Sequence, residues 1–113
     1  MTPTARTLRY LRQNKTRACI AEYCQRHSFH THDLFNFIDV VALDTSRRQI
    51  IGIQVTTSSN YSARKRKILG ACRKDALDWL ECGGVIEIWG WRQLAGQEKW
   101  TPRIGELTVD DFG

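Results

Sequence analysis

Apolar and polar positions change their period several times along the chain, and each change marks an element. Thr2-Pro3 reads as a helix cap followed by proline at the first helical position. Ala5, Leu8 and Leu11 then recur every three residues, with Arg6, Arg9 and Arg12 on a neighbouring stripe. This pattern predicts a short amphipathic helix closing near Asn14-Lys15. From Arg17 to Cys24 the period falls to two: Ala18, Ile20 and Glu22 alternate with Cys19, Ala21 and Tyr23, which predicts a strand with Glu22 near its far end. Two runs rich in β-branched and aromatic residues follow, 34-LFNFIDVVAL-43 and 50-IIGIQVTT-57. The six polar residues between them, Asp44 to Gln49, predict an antiparallel hairpin.

Beyond the hairpin, 62-SARKRKILGACRKDALDWLEC-82 carries Ile68, Leu69, Cys72, Ala76, Leu77 and Leu80 at helical spacing and predicts one long helix with a bend at Gly70. Gly83-Gly84 ends it, and 85-VIEIWGW-91 returns as a strand. Arg92 to Lys99 form a turn, and Trp100 to Leu107 a last strand that Pro102 keeps at an edge. Residues 107–113, with Asp110 and Asp111, read as a loose acidic tail. Trp79, Trp89, Trp91 and Trp100 crowd this half of the chain. Indole rings stack on unpaired bases, but aromatics at strand positions in a small domain are expected in its core.

The polar residues inside the hairpin carry the chemistry. Side chains alternate faces along a strand, so Asp39 shares a face with Phe37 and Val41, and Gln54 and Thr56 share the face opposite Ile51, Ile53 and Val55. A carboxylate in so apolar a run needs a partner, a metal or water. An acidic residue closing F-I-D, then a hairpin, then a strand with two polar residues one apart resembles the PD-(D/E)XK nuclease superfamily, and in particular its phage and prokaryotic branch of Holliday-junction-resolvase-like proteins. Asp39 falls on that family's metal-binding aspartate. Gln54 and Thr56 stand where the family has an acid and a lysine, so the motif reads Q-V-T in place of E-x-K.

The resemblance covers nearly the whole chain and implies an α/β, restriction-endonuclease-like α-β-β-β-α-β core with a mixed central sheet and an added C-terminal strand. It implies Mg²⁺ or Mn²⁺ held by Asp39, by Glu22, by the Gln54 amide oxygen and by the Val55 carbonyl, and a homodimer acting on DNA. Thr56 brings no positive charge, so the family's lysine is sought on the following helix, at Lys67 or Arg64. Glu22 is also readable as an exposed acid balancing the basic residues around it. Asp33, just before Leu34-Phe35, is expected to serve a turn by accepting nearby backbone N–H bonds, with a place at the rim of the same site as the alternative. Two function classes stand side by side. One is a metal-dependent endonuclease; the other is a lapsed nuclease fold that binds DNA or a protein through the same surface.

Composition narrows the setting. The 113 residues suit one domain, and 42% apolar with 26% charged residues is ordinary for a globular protein. No apolar stretch approaches the ~20 residues that span a bilayer, and the first residues lead into a charged helix rather than a signal core, so a cytoplasmic chain is expected. The net charge of +5 is unevenly placed: residues 1 to 74 hold fourteen Lys/Arg against four acids, and residues 75 to 113 three against eight. Such a basic region fits a polyanion, and nucleic acid fits better than a membrane because no strongly apolar helix face accompanies it. Arg64, Lys65, Arg66 and Lys67, with Asn60 before them, put that charge at a helix start, where N–H groups and the dipole already favour phosphate. Cys19, Cys24, Cys72 and Cys82 show no paired spacing and are expected as packed thiols. Zinc held by Cys24, His27, His30 and His32 is the alternative, although their spacing matches no common zinc pattern.

Overall fold

A computed structural model describes residues 1–24 and 31–113. In chain order its elements are α1 (Pro3–Gln13), β1 (Arg17–Ile20), β2 (Glu22–Cys24), β3 (Thr31–Asp33), β4 (Val40–Asp44), β5 (Gln49–Thr57), α2 (Tyr61–Leu69), α3 (Arg73–Glu81), β6 (Val85–Gln93) and β7 (Trp100–Leu107). The main sheet has the order β1-β4-β5-β6-β7. Its neighbours are antiparallel except β5 and β6, which run parallel and are linked by the two helices. β2 and β3 form a separate two-stranded ribbon. The domain is thus α/β, with a mixed five-stranded sheet between α1 on one face and the α2–α3 pair on the other.

The sequence of β5 dictates this layering. Ile51, Ile53 and Val55 face Leu8 and Leu11 of α1, together with Val40, Ala42, Trp89 and Trp91. Gly52, on the alternate face, lies against Ile38 and Trp79; a Cβ there would come within 2.8 Å of Ile38 Cδ1. On that second face Phe37, Ile38, Ile68, Cys72, Ala76, Ile86 and Ile88 make the other half of the core. A strand buried on both faces reads as a nearly continuous apolar run, which is what the segment shows. The one hydroxyl inside the α1 layer is satisfied: Trp91 Nε1 donates to Thr7 Oγ1 at 2.8 Å, and Thr7 donates to the Pro3 carbonyl at 2.9 Å.

Several expected elements are corrected. The alternating stretch 17–24 is not one strand, because the chain breaks at Ala21. Its N–H donates to the Asp39 carbonyl and its carbonyl accepts from Leu34, so β1 joins the main sheet while β2 leaves it. Strand 34–43 begins only at Val40. Leu34 and Ile38 bridge a tight turn whose Phe35 and Asn36 have φ of 50° and 68°, the left-handed region that aromatic residues seldom occupy. The long helix is two helices, since Gly70 closes α2 and Cys72 starts α3. The apolar stripe Ile68, Cys72 and Ala76 runs through the break undisturbed, so periodicity gave no sign of it.

The C-terminal residues are not a loose tail. Val109–Phe112 wind into a 3-10 turn under a Thr108–Asp111 capping box, Phe112 is buried, and Arg73 Nη2 donates to its carbonyl at 2.7 Å. Trp89 and Trp91 lie in the core as expected, whereas Trp79 is half-buried and Trp100 is 37% exposed. Of the described thiols Cys72 is buried, but Cys19 and Cys82 are exposed rather than packed in the core.

Tyr61 fixes the start of α2 on the sheet. Its ring lies against Gly90 of β6, its hydroxyl end occupies the space a side chain at Gly105 of β7 would need, and the Arg103 guanidinium covers the ring at 3.9 Å. Gly105→Ala should therefore displace Tyr61 and lower stability by about 1–3 kcal/mol. A thermal or urea melt reads this directly; an unchanged midpoint would mean that Tyr61 does not hold the helix there.

Candidate functional site

The backbone clasp at Ala21 is what brings the acidic residues together. It places the start of the β2–β3 ribbon beside the start of β4. Within the ribbon Glu22 pairs opposite Asp33, and Asp39 stands one residue before β4. Carboxylate oxygens of Glu22, Asp33 and Asp39 all lie within 4.8 Å of one another, with Glu22 exposed, Asp33 half-buried and Asp39 buried. Asp33 is thus part of the cluster, the alternative that stood beside its turn-serving role. The signal that pointed to it was an acid at each end of one polar, histidine-rich stretch between two strands.

Asp39 is anchored from β5. Gln54 Nε2 and the Val55 backbone N–H both donate to its Oδ2 at 2.7 Å, and its own N–H donates to the Ile53 carbonyl. Gln54 was expected as an oxygen donor to an ion. It presents its nitrogen to Asp39 and leaves Oε1 buried, with no hydrogen-bond partner among the described residues, in a residue only 2% exposed. Val55 meets Asp39 through its N–H. Thr56 is buried beside them on β5.

The expected cations stand on a different element from the acids. Arg64, Lys65, Arg66 and Lys67 occupy the middle of α2, with Asn60 exposed in the 3-10 turn ahead of it. Among the described residues no ion pair joins any of them to Glu22, Asp33 or Asp39. Lys67 makes itself felt at Cys72, whose thiol burial pushes up and Lys67 draws back down. Cys72 in turn lies 3.6 Å from the Asn36 carbonyl, in the turn that joins Asp33 to Asp39. The zinc alternative falls largely outside the described residues, since His27 and His30 are not among them.

The donor set suits a hard divalent cation. Three carboxylates from three segments offer anionic oxygens and no sulfur, the chemistry that Mg²⁺ and Mn²⁺ prefer. Asp33 supplies the negative charge that Gln54 does not. The cluster is also self-repelling: burial, a hydrogen bond that the protonated Asp39 donates to Asp33, and the nearby charges of Asp33 and Glu22 raise the Asp39 carboxyl to about 7, while the Val55 N–H pulls it down. Comparison with protein-family models, curated proteins and solved structures finds no match to this chain.

A carboxyl raised above its ordinary 3.8 holds its proton longer in the folded state than in the unfolded chain. The stability this contributes is complete below about pH 4, declines as pH rises, and is lost above about pH 7. Asp39→Asn keeps the shape and both accepted hydrogen bonds but does not ionise. In chelator, wild type should therefore lose stability relative to Asp39→Asn between about pH 4 and 7, and the difference should level off above that. Urea midpoints of the two proteins across this range check it, and parallel profiles would show Asp39 titrating as an ordinary carboxylate.

Proposed function

We propose that this chain is a metal-dependent DNA endonuclease of the PD-(D/E)XK kind, with a restriction-endonuclease-like core and resolvase-like use of branched DNA as substrate. The observation that carries the reading is the cluster of Glu22, Asp33 and Asp39 within 4.8 Å, whose Asp39 is hydrogen-bonded to β5, the strand that precedes a cationic helix. The element order, with an antiparallel β4–β5 hairpin followed by a helical crossover to parallel β6, supports the same family. The three carboxylates would hold the ion. When bound, Mg²⁺ or Mn²⁺ supplies Lewis-acid stabilisation of charge on a phosphate and lowers the pKa of a water.

The chain's own residues do the remaining work. Gln54 and Val55 lock one Asp39 oxygen by two N–H bonds, which fixes the orientation of that carboxylate. Glu22, being exposed, faces the side from which a phosphate arrives. Arg64, Lys65, Arg66 and Lys67 bind the DNA backbone, with Asn60 at the helix start, and Lys67 or Arg64 provides the positive charge that Thr56 lacks. A homodimer would supply one such site to each strand of a junction.

The nitrogen-first orientation of Gln54 and the absence, among the described residues, of any lysine ion-paired to the cluster favour one second reading, a lapsed nuclease fold that binds DNA without cutting it. The two readings part on one experiment. Labelled branched, linear duplex and single-stranded DNA are incubated with Mg²⁺, Mn²⁺ or EDTA, using wild type, Asp33→Asn, Asp39→Asn, Lys67→Ala and the pair Gln54→Glu with Thr56→Lys. The endonuclease reading expects discrete cuts by wild type that EDTA abolishes, no cutting by either Asp variant, and a loss of at least ~10-fold for Lys67→Ala. An inert wild type alongside an active Gln54→Glu/Thr56→Lys pair establishes the lapsed nuclease. Binding to DNA should weaken steeply with salt and weaken further in Arg64→Ala/Lys67→Ala, because phosphate contacts release counterions.

A further inference from the structure

A second concentration of unspent chemistry lies on the opposite face of the sheet. α1 and the beginning of β7 enclose a groove of about 420 Å³ whose walls include Arg6, Arg9, Tyr10, Trp91, Lys99 and Trp100. Among the described residues no acidic one lines it. Among the described residues none of these three cations is ion-paired, so the groove is a basin of uncompensated positive charge. Two large aromatics open onto it, Tyr10 at 39% and Trp100 at 37% exposure. Exposed rings amid unpaired cations leave apolar area in water that a chain optimised only for stability would cover.

The rings are held in place. The Arg6 guanidinium lies 4.3 Å from the Trp100 ring centroid, a stacked cation over an indole face. Tyr10 stands edge-on to Trp89 at 5.3 Å and to Trp91 at 6.1 Å, and Trp91 is itself pinned by its bond to Thr7. A flat guanidinium–indole stack flanked by further cations has complementary partners of one kind: planar, electron-rich rings carried on a polyanion. Bases in a duplex are already stacked on their neighbours, so only unpaired ones can enter.

We propose that this groove binds single-stranded nucleic acid, stacking an unpaired base on the Arg6–Trp100 pair and holding the flanking phosphates with Arg9 and Lys99. The site is separate from the acidic cluster and does not depend on what that cluster does. Single-stranded DNA and RNA share the recognising chemistry, and the test separates them.

Fluorescence anisotropy in EDTA, which removes metal-dependent steps, compares labelled oligothymidylate, oligouridylate and a blunt duplex, with heparin as a competing polyanion that has no bases. Single strands should bind more tightly than the duplex. Arg9 and Lys99 are exposed, so Arg9→Glu and Lys99→Glu should keep the fold and lower single-strand affinity by about tenfold each, through lost phosphate contacts. Arg48→Glu, an equal change of charge in the β4–β5 turn, should have a much smaller effect. Trp100→Leu should weaken single-strand binding by at least about fivefold and leave heparin binding unchanged. Should that variant fail to fold, indole fluorescence of the wild type provides the second reading, quenched by oligonucleotide and not by heparin. A preference between oligothymidylate and oligouridylate identifies the natural source. Heparin binding that matches oligonucleotide binding and falls equally with Trp100→Leu, a preference for duplex, equal losses in Arg48→Glu and Arg9→Glu, or no binding at all would overturn the proposal.

Discussion

Asp39 accepts two N–H bonds on one oxygen, from the side chain of Gln54 and the backbone of Val55, and much of the domain's architecture follows from that contact. A buried carboxylate without donors is strongly disfavoured, so the residue ahead of β4 is committed to this position on β5. Its own backbone completes the registration, donating to Ile53 and accepting from Ala21. Ala21 then divides the chain between the main sheet and the ribbon. The acidic cluster is in this sense a by-product of how one carboxylate is satisfied. Ala21 and Leu34, which hold the ribbon in place, carry no charge and touch the site only through their main chains.

The two faces of the sheet have been given different tasks by composition. Toward α2 and α3 the layer mixes aliphatic residues with Phe37, Tyr61 and Phe112 and is interrupted by Gly52, Gly90 and Gly105, positions at which Ile38, Trp79 and Tyr61 approach the backbone too closely for a side chain. Toward α1 the layer is aliphatic apart from Trp89 and Trp91, and it lies under a helix rich in arginine. Glu87 is buried in this second layer, where Trp89 Nε1 donates to it at 3.0 Å and Arg47 approaches to 4.0 Å from the hairpin turn.

Most of the strand and helix content was legible because it rests on local pattern. β4, β5, β6 and β7 are long enough, or bounded clearly enough by turn formers, for period and composition to find them. What was not legible depends on contacts distant in sequence. The break at Ala21 is made by Asp39 and Leu34, the left-handed turn at Phe35-Asn36 is held in part by Asp75, to which Asn36 donates at 3.1 Å, and Phe112 is buried through Arg73. Asp39 and Glu22 were recognisable in the sequence as candidate acids. Asp33 was recognisable only as a rim alternative, because an aspartate before an apolar run has an ordinary local use, and only the pairing of β2 with β3 sets it opposite Glu22.

The parallel pairing of β5 with β6 bears on how the chain reaches this structure. β4 and β5 are joined by four residues, and Asp44 stabilises their turn by accepting from Ser46 at 2.7 Å and from Arg47 at 2.6 Å, so that hairpin can form from local contacts alone. β5 and β6 have no such route, because parallel strands need a long crossover, here residues 58–84. Closing that loop costs entropy before any ladder bond returns it. The helices of the crossover offset the cost only if they dock as β6 arrives, through Tyr61 and Ile68. The centre of the finished sheet is therefore among the last of its contacts to become favourable, and the rate of folding is set by a junction that contributes heavily to the stability of the end state.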